Sequence, residues 1–139
     1  MTRIDDVINV AGHRLSSSAI EEVLAANPSV AECAVVGVYD ALKGQVPAGF
    51  VVLKTGAMID EAALAEQLVA DVRREIGPVA SFKQVYAVSK LPKTRSGKIL
   101  RRNIRQIADG ETPVVPATIE DRSALDELIL LFDQKGSGA

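Results

Sequence analysis

The sequence predicts a small α+β domain: a central sheet of about three strands flanked by helices, with a short strand pair near the N-terminus. Three observations lead there. Val30 to Val38 is apolar apart from Glu32 and rich in valine, and Gln45 to Lys54 carries Phe50-Val51-Val52-Leu53, so both read as strands with largely buried faces. Leu64, Leu68, Val72 and Ile76 recur every four residues, the stripe of an amphipathic helix. Strands and helices then follow one another irregularly rather than in the strict strand-helix alternation of a parallel sheet.

Taken in order, residues 3 to 10 alternate loosely, with Ile4, Val7, Ile8 and Val10 among Asp5, Asp6 and Asn9, and Gly12 breaks the run. This suits a short strand pair at a sheet edge, with Gly12 as a turn and Asp5 and Asp6 as solvated acids. Ser18-Ala19-Ile20-Glu21 has the spacing of a capping box, and Ile20, Val23 and Leu24 continue it as a helix ending near Asn27-Pro28. Asp40-Ala41-Leu42-Lys43-Gly44 is expected to join the two long strands as a hairpin with a wide loop. Asp60 can cap the longer helix, which Gly77-Pro78 stops, and Arg73 and Arg74 fall in its last turn, where a cation interacts well with the helix dipole. Gln84 to Ser89 alternates weakly as a third core strand. Thr112 to Thr118 contains two prolines and no helical period, and Leu125, Leu128, Ile129 and Phe132 suggest a last amphipathic turn or two after Ser123. The division expected is a domain over 1–110 and a linker-like tail over 111–139.

The chemistry concentrates between Leu91 and Arg102. From Lys90 to Arg105 there are seven basic residues and no acid, in a chain of 16 basic and 18 acidic residues. Pro92 biases Leu91 toward an extended backbone, and Ser96-Gly97 supplies a tight turn just before Lys98. Leu100, Ile104 and Ile107, with Gly110 as a stop, should form a short helix behind that loop. A lysine projecting from such a loop suits an anion whose charge shifts during reaction, while the plainer reading of a basic run is a solvated face. The Gly-Lys pair is not a phosphate-binding P-loop, because Pro92 stands where its first glycine belongs and Ile99 where its Ser/Thr belongs.

Composition removes other classes. A net charge of −2 and a pI near 5.4 argue against bulk nucleic-acid affinity. The single cysteine, Cys33, lies in an apolar run and reads as a core thiol. One His and one Cys give no zinc spacing, and His13 alone cannot complete a Ser-His-acid set, so no metal ligands are assigned. No signal peptide and no membrane span is legible.

Pro92-Lys93-Thr94-Arg95-Ser96-Gly97-Lys98 resembles the C-terminal lysine motif of the adenylate-forming enzymes: acyl-CoA synthetases, adenylation domains of peptide synthetases, and luciferases. With Ile99 and Arg101-Arg102 following, it is most like the short-chain synthetases for acetate and propionate. Arg3 to Leu15 is similar to the same family's hinge motif and lies the expected distance upstream; the resemblance runs from about Arg3 to Arg122. His13, Leu42-Lys43-Gly44-Gln45 and Thr118-Ile119-Glu120-Asp121 look like the propionate type.

The resemblance implies a mobile C-terminal domain working with a large N-terminal domain of the same enzyme. Lys98 would be catalytic in joining a carboxylate to ATP, with Mg²⁺ bound outside this domain. Asp5 would be the hinge about which the domain rotates. Gly12 and Arg14 would face coenzyme A in thioester formation, and Arg73 would lie near its nucleotide phosphates. The family also implies acetylation of Lys98 by a protein lysine acetyltransferase, a cytoplasmic location or the mitochondrial matrix, and inactivity of the isolated domain, with acyl-adenylate and coenzyme A as its ligands. Other readings are an aryl-CoA ligase, an adenylation domain loading a carrier thiol, or a non-enzymatic module binding an anion or a partner.

Overall fold

The computed structural model describes residues 7–137. In chain order the elements are β1 (Val7–Val10), β2 (His13–Ser16), α1 (Ser17–Ala25), β3 (Val30–Asp40), β4 (Gly44–Leu53), α2 (Glu61–Glu75), β5 (Gln84–Ala87), α3 (Arg101–Ala108) and α4 (Ser123–Ser137). They form one five-stranded, mostly antiparallel sheet with four helices, and the α+β prediction holds. β3 and β4 pair along nearly their whole length, from Val30↔Leu53 to Asp40↔Gly44. The other side of β4 is shared: β1 meets it only at Val10↔Gly44, and β5 runs parallel to it from Ala48↔Gln84 to Val51↔Ala87.

Helices cover both faces, which is why the two long strands are apolar almost without alternation. Consecutive residues of β4 show it. A Cβ at Gly49 would lie 2.8 Å from Phe82 and 3.2 Å from Leu24 of α1, so only glycine lets these side chains reach the strand. Phe50 points the other way, fully buried, with its ring centroid 5.2 Å from Tyr86 and 6.0 Å from Phe132 of α4. Leu64, Leu68 and Val72 are the buried stripe of α2, and Ile104 and Ile107 that of α3.

Three local predictions change. The helix after β2 begins at Ser17, two residues earlier than its Ser-x-x-Glu spacing suggests: Ser16 is the N-cap and its Oγ accepts from the Ala19 N–H. Glu21 is therefore free of capping duty and turns to the sheet. The β3–β4 loop is tight rather than wide, three residues between Asp40 and Gly44. Asp40 Oδ2 accepts from the Leu42 and Lys43 N–H groups, and Gly44 sits at φ +86° as such a loop requires. The last helix is much longer than a turn or two. Leu125 and Leu128 are buried, and Phe132 completes an aromatic cluster with Phe50 and Tyr86, so the apolar stripe of this helix packs into the core.

β3 is one edge of the sheet, and amides on its outer side are answered by carboxylates. Glu21 accepts from the Val35 N–H at 2.8 Å and Asp109 from the Tyr39 N–H at 2.8 Å. Charged groups placed so deny the edge to another strand. Glu21 also holds Arg101, at the end of the lysine loop.

Candidate functional site

The seven basic residues from Lys90 to Arg105 divide into two sets. Four are paired with acids. Lys90 bonds Asp121. Lys93 Nζ lies 2.7 Å from Glu32 of β3. Arg101 takes Glu21 with two N–H groups, at 2.7 and 2.9 Å, with both side chains mostly buried. Arg105 lies 3.5 Å from Asp109 and 3.6 Å from Glu111. Arg95, Lys98 and Arg102 are exposed and have no ion-pair partner among the described residues. The charge run is thus neither uniformly solvated nor uniformly paired.

The paired set fastens the loop that carries Lys98. Lys93 secures the entering leg to β3, and Arg101, at the first turn of α3, secures the leaving leg to α1. Backbone bonds close it between: Leu100 N–H to the Pro92 carbonyl, Thr94 N–H to the Lys98 carbonyl and Gly97 N–H to the Thr94 carbonyl, each 2.9 Å. Gly97 holds φ +92° with nothing within 4 Å of where a Cβ would stand, so the turn needs glycine for its backbone and not for space. A third extended piece lies outside. Arg95 donates to the Thr118 carbonyl at 2.9 Å and Glu120 to the Lys93 carbonyl at 2.8 Å, so residues 118–120 strap the loop from the tail. Lys98, Arg102, Asn103, Val114 and Pro116 line an open cleft of about 340 Å³ beside it.

A second group of cations gathers elsewhere. Lys43, Arg73 and Lys83 line a cleft of about 290 Å³ with Gly77, Pro78 and Ser81. Lys43 Nζ donates to Ser81 Oγ at 2.5 Å, and none of the three has an ion-pair partner among the described residues. Arg74, its neighbour in sequence, is instead paired with Asp71 and Glu75. The Lys43 carbonyl accepts from Ala11 at 2.8 Å, which seats the β1–β2 turn beside this cleft. In that turn Ala11 (φ +50°) and Gly12 (φ +87°) both adopt the left-handed conformation of a two-residue hairpin, and Gly12 faces open space. Arg14 and His13 are exposed on β2. Gly12 is therefore a turn glycine with nothing packed against it. Asp5 lies outside the described residues.

The lysine loop is anchored at Glu32 of β3, and the Gly12 turn lies beside Asp40–Gly44 at that strand's far end. Glu32 and Asp40 are eight residue steps apart along β3, about 26 Å at the usual rise. Each cluster thus occupies its own corner of the sheet.

Several of these residues escaped the sequence reading. Spacing alone places Glu21 in a helix cap and Lys43 in a hairpin turn, and it gives no signal for Lys83. Glu32 left a trace, as the lone acid in an apolar run. Cys33 is half-buried, donates to the Glu21 carbonyl at 3.4 Å, and burial pushes its thiol up to about 11, helped by the Glu21 carboxylate. It is held protonated and unreactive, as a structural thiol should be. No described helix is long and apolar enough to cross a membrane.

A sheet covered by helices on both faces, with a glycine-turned lysine loop strapped to its edge, defines a class. The chain belongs to the family described as AMP-binding enzyme C-terminal domain, which matches residues 19–98. It is 49% identical over 134 residues to acyl-CoA synthetase short-chain family member B, mitochondrial, of Dictyostelium discoideum, a match covering 96% of this chain and 20% of that protein. To an acetyl-coenzyme A synthetase of Pyrobaculum aerophilum it is 52% identical over 133 residues, 95% of this chain and again 20% of the relative. Among solved structures, the acyl-CoA synthetase of Brucella canis superposes with a TM-score of 0.68 at 38% identity, over 76% of this chain and 19% of the other. ATP-bound MatB from Rhodopseudomonas palustris gives 0.69 at 29%, over 77% and 20%. The chain thus spans about a fifth of the length of the relatives it matches.

Proposed function

We propose that this chain is the mobile C-terminal domain of an AMP-forming short-chain acyl-CoA synthetase of the acetate or propionate type, acting with a large N-terminal domain. One observation carries the reading: Lys98 is exposed, has no ion-pair partner among the described residues, and stands on a loop fastened at both legs through Lys93 and Arg101. In the first half-reaction a carboxylate oxygen attacks the α-phosphorus of ATP, forming acyl-adenylate and expelling pyrophosphate. The Lys98 ammonium would balance the charge moving from carboxylate to α-phosphoryl oxygens and need give up no proton to do so. Mg²⁺ accompanies the ATP and would be held outside this domain. In the second half-reaction the coenzyme A thiol attacks the acyl carbon, giving the thioester and AMP.

For that step the domain would turn about Asp5 and present the opposite corner of the sheet. Gly12 leaves room for a thin ligand, exposed Arg14 lies on the adjoining strand, and Arg73 with Lys43 and Lys83 forms a site suited to nucleotide phosphates. The two clusters line separate clefts with no residue in common, which supports two reactions served in turn. Acetylation of Lys98 would cancel its charge and stop the first half-reaction. Isolated, the domain should not activate carboxylates.

The test separates the half-reactions in the full-length enzyme. Lys98→Ala should cripple carboxylate-dependent ATP–pyrophosphate exchange and leave thioester formation from supplied acyl-adenylate largely intact. Equal loss in both would return the loop to a structural role.

A further inference from the structure

We propose that Thr94 is a positioning residue for the Lys98 ammonium, which it aims by holding both polar groups of the Lys98 backbone; this rests on the adenylation role proposed for Lys98. The Thr94 N–H donates to the Lys98 carbonyl at 2.9 Å, and the Lys98 N–H donates to Thr94 Oγ1 at 3.1 Å. The Thr94 carbonyl accepts from the Gly97 N–H at 2.9 Å. One residue therefore closes the turn at three points, and the left-handed φ of Gly97 is locked between two of them. The direction in which the lysine side chain leaves the loop follows from these bonds.

Thr94 can serve as a reference point because it is itself held. It bridges to Ile119, the carbonyl before it accepts from Glu120, and the N–H after it donates to Thr118. Lys93 ties the same leg to Glu32. Of all these attachments only those of the Thr94 hydroxyl depend on what side chain stands at 94. The Thr94 hydroxyl accepts from Lys98 and lies 2.9 Å from Ser96 Oγ, to which it can direct its own proton, so both its roles are filled. Valine has the same shape and no acceptor. Serine keeps the acceptor and loses a methyl group.

A four-carbon stem magnifies a small tilt at its base, and displacement of a catalytic group by about 1 Å can cost on the order of 10² in rate. The backbone bonds of residue 94 survive either substitution, so folding and aiming can be told apart.

The experiment uses the full-length enzyme with Thr94→Val, Thr94→Ser and Lys98→Ala, measuring both half-reactions and the melting temperature of each. Thr94→Val is expected to lower kcat for ATP–pyrophosphate exchange about 10- to 100-fold, with KM for ATP and thioester formation from acyl-adenylate each changed by less than about twofold. Thr94→Ser should recover most of the rate. The proposal is overturned if Thr94→Val exchanges at the parental rate while Lys98→Ala does not, a result that leaves the role of Lys98 standing. It is equally overturned if Thr94→Val lowers both half-reactions and the melting temperature together, or if serine fails to restore what valine removes. Unimpaired exchange by Lys98→Ala would remove the functional reading itself, and Thr94 would then have nothing to aim.

Discussion

The two cation clusters of this domain are built on opposite plans. Around Lys98 the chain is overdetermined: two ion pairs at the feet, three backbone bonds across the turn and a strap from the tail hold a loop with one unpaired ammonium. Around Arg73 almost nothing is tied. Lys43 has a hydroxyl partner and Arg73 and Lys83 have no acid among the described residues, beside a two-residue turn open to solvent. The contrast matches the tasks proposed. A charge that must meet a reacting centre gains from being fixed in advance, whereas a grip on peripheral phosphates works through long, adjustable side chains.

The sharpest way to break the comparison is to remove the fixed charge. Lys98→Ala should lower adenylation by about 10² to 10³, the scale of a positioned electrostatic group, read as pyrophosphate exchange. At the loose corner the loss should be smaller and of another kind. Arg73→Ala should raise KM for coenzyme A about tenfold, near the value of one charge-assisted bond, and leave exchange unchanged. If Arg73→Ala slowed adenylation as much as Lys98→Ala, the corners would not be dividing the work.

Much of this contrast could be seen in the sequence, though only one side of it. The apolar runs at 30–38 and 45–54 give the two long strands because helices on both faces demand continuous burial, and the four-residue stripe from Leu64 gives α2. Lys98 stands out because Pro92 and Gly97 shape a loop around it. What stayed hidden depends on contacts between distant residues. Glu21 and Arg101 are 80 positions apart, and nothing in Ser18-Ala19-Ile20-Glu21 distinguishes an acid that caps its own helix from one that reaches the sheet edge. Residues 118–120 bond to the loop through their backbone, which any sequence could supply. The cleft at Arg73 draws Lys43 from a hairpin turn and Lys83 from the approach to β5, elements that only the fold brings together.

The fastening itself can be loosened without touching Lys98. Glu21→Gln should keep an acceptor for the Val35 N–H while removing the carboxylate charge that the mostly buried Arg101 guanidinium contacts with two N–H groups. A cost of about 2 to 4 kcal/mol is expected from breaking one side of a buried pair, measured by urea unfolding of the parent and the variant. An unchanged midpoint would mean that the ion pair holds nothing in place.

The smallest effect expected is a preference among lysines, and it asks whether fixing the loop also advertises its one unpaired amine. Lys90, Lys93 and Lys98 fall within nine residues, yet their surroundings differ: Lys90 bonds Asp121, Lys93 lies 2.7 Å from Glu32 with its side chain 28% exposed, and Lys98 is exposed with no ion-pair partner among the described residues. An acyl-transferring enzyme must grip the target amine and take it as the free base, and a paired ammonium has first to give up its carboxylate. Breaking a surface pair costs up to about 1 kcal/mol, which favours Lys98 by roughly three- to fivefold over either neighbour, with access adding to the margin at Lys93. Incubation with a protein lysine acetyltransferase and acetyl-CoA, followed by peptide mass spectrometry over a time course, would give the three rates. Asp121→Asn should then raise labelling at Lys90 and Glu32→Gln that at Lys93, each toward the Lys98 rate. Even labelling in the parent chain would mean that the pairs do not shield their lysines. A silent Lys98 beside labelled neighbours would place its amine out of reach, against the exposure on which its proposed role depends.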